Sequence, residues 1–154
     1  MTESAAGPQS EMVTLVVRKT IYATAERLFE AWTDPAQLQK WWGPEGVACI
    51  GPEVDLRVGG RYRIGNQLPD GKILWIVGEF EVVDPPHRLT YTWRLEGTPG
   101  ESERVTVRFE PRGSATAVVV THERIPNETA RDQHQSGWHG CLEGLAEYLG
   151  SQRT

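Results

Sequence analysis

Apolar residues follow two kinds of pattern along this chain. From Glu128 to Leu149, steps of about 100° per residue gather His134, Trp138, Cys141, Leu142, Leu145, Tyr148 and Leu149 in one sector. Ser136, Glu143 and Glu147 fall opposite, which predicts one long amphipathic helix with its apolar sector on a core. Gly137, Gly140 and Gly144 form a second stripe beside that sector. Each glycine inside a helix costs roughly 1 kcal/mol relative to alanine. Two reasons would explain them: close approach of another backbone, or volume left for a ligand.

Elsewhere the period is mostly two. Val13, Leu15 and Val17 predict a first strand over Met12 to Ile21. Thr24 then suits the N-cap of a short helix with Ala25, Leu28, Phe29 and Trp32 at i, i+3, i+4 and i+7. Asp34-Pro35 stops it and caps a second helix carrying Leu38, Trp41 and Trp42, which Gly43-Pro44 ends. Val54, Leu56 and Val58, alternating with Asp55 and Arg57, predict a strand and then a bend at Gly59-Gly60 into a strand at Arg61 to Ile64. Pro69-Asp70-Gly71 reads as a hairpin turn, and Ile73 to Val83 as a strand covered on two faces with a bulge at Gly78. After Asp84-Pro85-Pro86, the alternations Leu89-Tyr91-Trp93-Leu95 and Val105-Val107-Phe109 and the run Thr116 to Glu123 predict an antiparallel meander. The class is α+β: a curved antiparallel sheet of about six or seven strands wrapped on a long C-terminal helix, with two short helices after the first strand. The concave side of such a sheet is too wide for one helix to fill, so a cavity is expected.

Composition narrows the function. At 154 residues one domain is expected, over 11–150, behind a small polar tail, Met1 to Ser10, expected to be disordered. A net charge of −5 lacks the footprint of a nucleic-acid or anionic-membrane binder. Cys49 and Cys141 form no metal-spaced cluster and read as free thiols of a cytoplasmic protein. No apolar run approaches the roughly 20 residues of a membrane span, and no secretory leader pattern opens the chain.

Ala31-Trp32-Thr33-Asp34-Pro35, Trp41-Trp42-Gly43-Pro44, Asp55 to Arg61, Thr121-His122 and Gly137-Trp138 occur in an order that resembles one family. It is the family named for the C-terminal domain of the activator of the 90-kDa heat-shock protein ATPase, within the START and Bet v 1-like (SRPBCC) superfamily. The similarity runs from about Val13 to Leu149. It implies a helix-grip fold with an internal cavity for apolar small molecules, and fixes no activity, because the superfamily holds carriers, hormone binders and cyclases that share only the cavity.

The candidate lining is Tyr91, Trp93, Val107, Val120, His122, His134, Trp138 and Cys141, an apolar wall with two imidazoles. His122 shares a strand face with Val118 and Val120, so it reads as a buried neutral histidine held by a backbone carbonyl, or as a ligand contact. His134 lies one turn before Trp138 on the helix's inner face, so the two histidines can converge across the cavity. With no third ligand apparent, no metal is expected, and no phosphate loop or nucleophile elbow implies a cofactor. Cys141 is two helical turns from His134, too far for a nucleophile–base pair, and reads as a small buried hydrophobe. The leading expectation is a binding module for an apolar or aromatic small molecule. The alternatives are an enzyme of the cyclase, dehydratase or hydrolase type using His122 and His134, and a chaperone contact, which is weakened because the activators carry a further N-terminal domain.

Overall fold

The computed structural model describes residues 12–43, 46–98 and 101–151. The tail Met1 to Ser10 and Pro44, read above as disordered and as a helix stop, lie outside the described residues.

Strand β1 (Val13–Ile21) leads into helices α1 (Ala25–Thr33) and α2 (Pro35–Trp41). Six strands follow: β2 (Ala48–Val54), β3 (Arg61–Gln67), β4 (Ile73–Asp84), β5 (Arg88–Leu95), β6 (Glu103–Arg112) and β7 (Ala115–Ile125). Helix α3 (Glu128–Ser151) closes the described chain. All seven strands form one antiparallel sheet in the order β1-β7-β6-β5-β4-β3-β2. The α+β class, the two short helices and the long C-terminal helix are therefore as the patterning predicts.

The caps form for the predicted reasons. The Thr24 side chain accepts from Arg27 N, and Asp34 accepts from Ala36 N with Pro35 opening α2. Asn127 caps α3 by accepting from Ala130 N at 2.8 Å. Trp138, Cys141, Leu142, Leu145 and Leu149 are buried along one face of α3, which packs on β1, β7 and α2. Glu143, Glu147, Ser136 and His139 are exposed on the other.

Three local expectations need correction. Asp55 to Gly60 is a tight turn, not strand: Arg57 N bonds Asp55 O, Gly60 N bonds Arg57 O, and Gly59 sits at φ +87°. Leu56 and Val58 are consequently exposed, while Asp55 and Arg57 form a surface ion pair at 3.0 Å. Gly78 is not the bulge; the register shift falls between Phe80 and Val82. A Cβ at Gly78 would overlap the Thr92 carbonyl oxygen, so this glycine permits close approach of β4 and β5. The concave side is also fuller than one helix would leave it, because α1 and α2 add Trp32, Trp41 and Trp42 to its core.

Candidate functional site

Sheet register and helix α3 together assemble three ionisable side chains. Glu103 opens β6 opposite Trp93 of β5, and Val105, two residues on, faces His122 of β7. Glu103 and His122 are thus diagonal neighbours on one sheet face. Helix α3 brings His134 over the same spot, with its ring stacked on that of His122 at a centroid distance of 4.2 Å. Trp93 meets both imidazoles edge-on, at 5.5 Å from His122 and 4.9 Å from His134.

The hydrogen bonds among these groups have a fixed direction. The indole of Trp138 can only donate, and its Nε1–H lies 3.0 Å from His122 Nδ1. Nδ1 is therefore the acceptor and Nε2 carries the ring proton, which it donates to Glu103 Oε1 at 2.7 Å. His134 Nε2 lies 3.0 Å from the same oxygen and donates to it as well. The His122 side chain is 1% exposed, Glu103 16% and His134 19%.

Charge follows from these contacts. Burial is the largest influence on His122 and holds its pKa below the usual imidazole value, against the pull of Glu103, so the ring stays neutral. Burial alone would push the Glu103 carboxyl up. The hydrogen bonds from His122 and His134, with their positive charge when protonated, overcome it and hold the carboxyl at about 2. Nearby, burial pushes the Cys141 thiol up to about 12 and the Cys49 thiol up to about 11, which makes both poor nucleophiles at neutral pH.

The ligand atoms of Glu103, His122 and His134 lie within 4.8 Å of one another, a spacing a metal ion could use. The Trp138 bond argues against it. A metal-bound imidazole needs its lone pair on the ligating nitrogen and normally donates its other N–H outward. Here the lone pair of neutral His122 already points at an indole N–H, leaving Glu103 and His134 as two ligands, short of the three of a catalytic zinc site.

Beside this cluster lies a pocket of about 190 Å³ that includes Trp42, Asn66, Trp93, His122, His134, Gly137, Trp138 and Cys141 in its lining. Five of the eight side chains expected from the sequence meet there: Trp93, His122, His134, Trp138 and Cys141. Tyr91 lines a separate apolar cleft of about 20 Å³, little more than a water, together with Trp32, Tyr62 and Phe80. Val107 and Val120 are paired across β6 and β7 and are fully buried in the core. The sequence reading of His122 as bonded to a backbone carbonyl is corrected by its bonds to Glu103 and Trp138. Glu103 was missed, although it shares the inward parity of Val105, Val107 and Phe109.

The glycine stripe divides between its two explanations. A Cβ on Gly144 would come within 2.9 Å of the Trp41 carbonyl oxygen, so α2 needs this glycine for close approach. A Cβ on Gly137 would meet nothing within 4 Å, and Gly137 lines the pocket.

Residues 22–150 match the family described as Activator of Hsp90 ATPase homolog 1-like protein. The chain belongs to that family. This AHSA1-like chain superposes on a Chromobacterium violaceum protein of known structure with 29% identity and a TM-score of 0.80, covering 87% of this chain and 94% of the other. It also superposes on the AHSA1 protein of Silicibacter pomeroyi with 24% identity and a TM-score of 0.83, covering 92% and 100%. The second likeness is one of fold alone. An uncharacterized protein of Schizosaccharomyces pombe is 26% identical over 110 residues, 70% of this chain, and the chain spans only 28% of that relative's length. Among the described residues, no helix is long and apolar enough to cross a membrane.

Proposed function

We propose that this AHSA1-like chain binds a flat, largely apolar small molecule in the pocket between the N-terminal half of α3 and the concave face of the sheet, where Asn66, Ile76, Trp93 and His122 line it. One observation carries the reading: indole walls from Trp42, Trp93 and Trp138 surround a few convergent polar groups, beside a helical position with no side chain. Apolar walls supply affinity and a small polar cluster supplies orientation, the usual division in a ligand site. Membership of the SRPBCC superfamily, whose members commonly bind hydrophobic ligands, is consistent with this. An enzyme reading would rest on His134, because both ring nitrogens of His122 are engaged and its side chain is 1% exposed.

Titration with flavonoid- or polyketide-like compounds, followed by tryptophan emission, tests the binding. Saturable quenching is expected, and Gly137→Leu should weaken it at least tenfold while the chain stays folded. Gly144→Leu would not test the pocket, since its side chain would collide with the α2 backbone. Undiminished quenching in Gly137→Leu would place the guest elsewhere.

A further inference from the structure

The direction of the hydrogen bonds says what kind of polar group the guest should carry. Glu103 Oε1 already accepts two imidazole N–H groups, and the carboxyl stays ionised, so it is a poor proton acceptor for a guest. His122 has both nitrogens engaged. In His134 the bond to Glu103 fixes the proton on Nε2, and the lone pair of the neutral ring is left on Nδ1. His134 lines the pocket and has the Glu103 carboxylate behind it, where the charge of a protonated ring would form. The titratable groups around it are Glu103 from β6, His122 from β7 and Cys141 from its own helix, whose thiol burial keeps protonated.

We propose that His134, backed by Glu103, takes the proton of an acidic hydroxyl on the guest, so that the pocket selects phenolic or enolic aromatic compounds and holds them as anions. This deepens the binding reading and depends on it. In the step the guest's O–H bond breaks, its electron pair stays on oxygen, and the proton forms a new N–H bond at His134 Nδ1. The products are a phenolate or enolate beside an imidazolium whose other N–H still donates to Glu103. No oxidant or further reactant is needed. Trp93, edge-on to His134 at 4.9 Å, and Trp138 line the pocket and supply aromatic surface against which a flat ring can pack.

The probe is 4-nitrophenol, whose phenolate is seen directly by its visible absorbance, against 4-nitroanisole, which has the same ring and no acidic proton. Binding of each is measured calorimetrically with the full chain. The expected result is at least a tenfold preference for the phenol, with its ionisation midpoint lowered by about one pH unit or more on binding. The protein's net charge of −5 would by itself disfavour an anion, so such a shift must come from the site. His134→Gln should abolish the shift, with thermal unfolding confirming that the variant folds. Binding of both probes with equal affinity and no shift would overturn the inference and leave the pocket standing. Binding of neither would sink the pocket reading itself. A shift that survives in His134→Gln also overturns the inference, because another group would be taking the proton. The two-probe comparison on the unaltered chain needs no variant and decides the matter even if His134→Gln fails to fold.

Discussion

Two neighbouring parts of the sheet's concave side solve the same problem in different ways. In one part α1 and α2 fill the hollow: Trp32 packs against Trp41 at 5.0 Å and Phe109 at 6.0 Å, and Tyr62, Phe80 and Tyr91 close a ring of aromatic contacts. About 20 Å³ is left there. In the adjoining part α3 presents a histidine and a glycine where large apolar side chains would otherwise fill the space, and about 190 Å³ stays open. Close-packed aromatic surface favours a unique, rigid interior. Partly buried charge beside open space is unfavourable unless every group is paired, and here the Trp138-His122-Glu103-His134 chain pairs them. An aromatic core in one part thus holds the frame, and a polar chain beside it shapes a site.

The largest expected effect tests the frame. Leu145 is 0% exposed on the inner face of α3, and Leu145→Ala should cost about 2–5 kcal/mol in denaturant unfolding. A loss below about half a kcal/mol would mean that this face is not part of the core. Next come two identical substitutions seven residues apart on α3. Gly144→Ala should destabilise by about 1–3 kcal/mol because the methyl meets the Trp41 carbonyl. Gly137→Ala should stabilise by up to about 1 kcal/mol, since the methyl enters open space and helix propensity improves. Equal effects at the two positions would remove the distinction between a packed and an open end of the helix.

Acidity tests the polar part. His122 is held below its ordinary pKa, so the unfolded chain takes up this proton first, as pH falls through about 6.5. Glu103 is held at about 2 in the fold, so its unfolded form takes a proton near 4.3 while the folded one does not. Both contributions are complete at higher pH and are lost on acidification, His122 from about pH 6.5 downward and Glu103 between about 4.3 and 2. Each uncompensated proton gives a slope of up to about 1.4 kcal/mol per pH unit. Urea unfolding across this range should show a shallower decline between pH 7 and 5 in His122→Gln than in the parent. Parallel curves would mean that His122 is not held neutral. The smallest effect is expected outside both parts, where Asp55→Asn should change stability by less than about 0.5 kcal/mol because the pair it breaks is exposed.

Parity and capping made most of the frame legible. Inward rows on β5, β6 and β7, the caps at Thr24 and Asp34, and the buried sector of α3 all follow from residue spacing. Leu56 and Val58 misled because five alternating residues look alike in a strand and in a turn; the Gly59-Gly60 pair closes the chain back before the alternation can pair. Val107 and Val120 were correctly read as inward, but parity does not reveal what covers a position, and core packs over both. Glu103 was legible by the same parity. A carboxylate at a strand's first residue ordinarily reads as solvated, and only register together with the approach of α3 shows two imidazoles closing on it.

Trp42, Ile76 and Trp93 border both the small cleft and the larger pocket, so the two spaces are rooms divided by a thin partition. The indole of Trp42 is pinned there by a 3.0 Å hydrogen bond to the Asn66 amide oxygen, of a kind that contributes about 1 kcal/mol net. A guest large enough to gain more than that, together with the packing given up when the ring swings aside, would join the two rooms. The upper size of an acceptable guest is therefore set by how firmly one indole is latched, and a change at Asn66 would alter the range of molecules admitted without touching the histidines that recognise them.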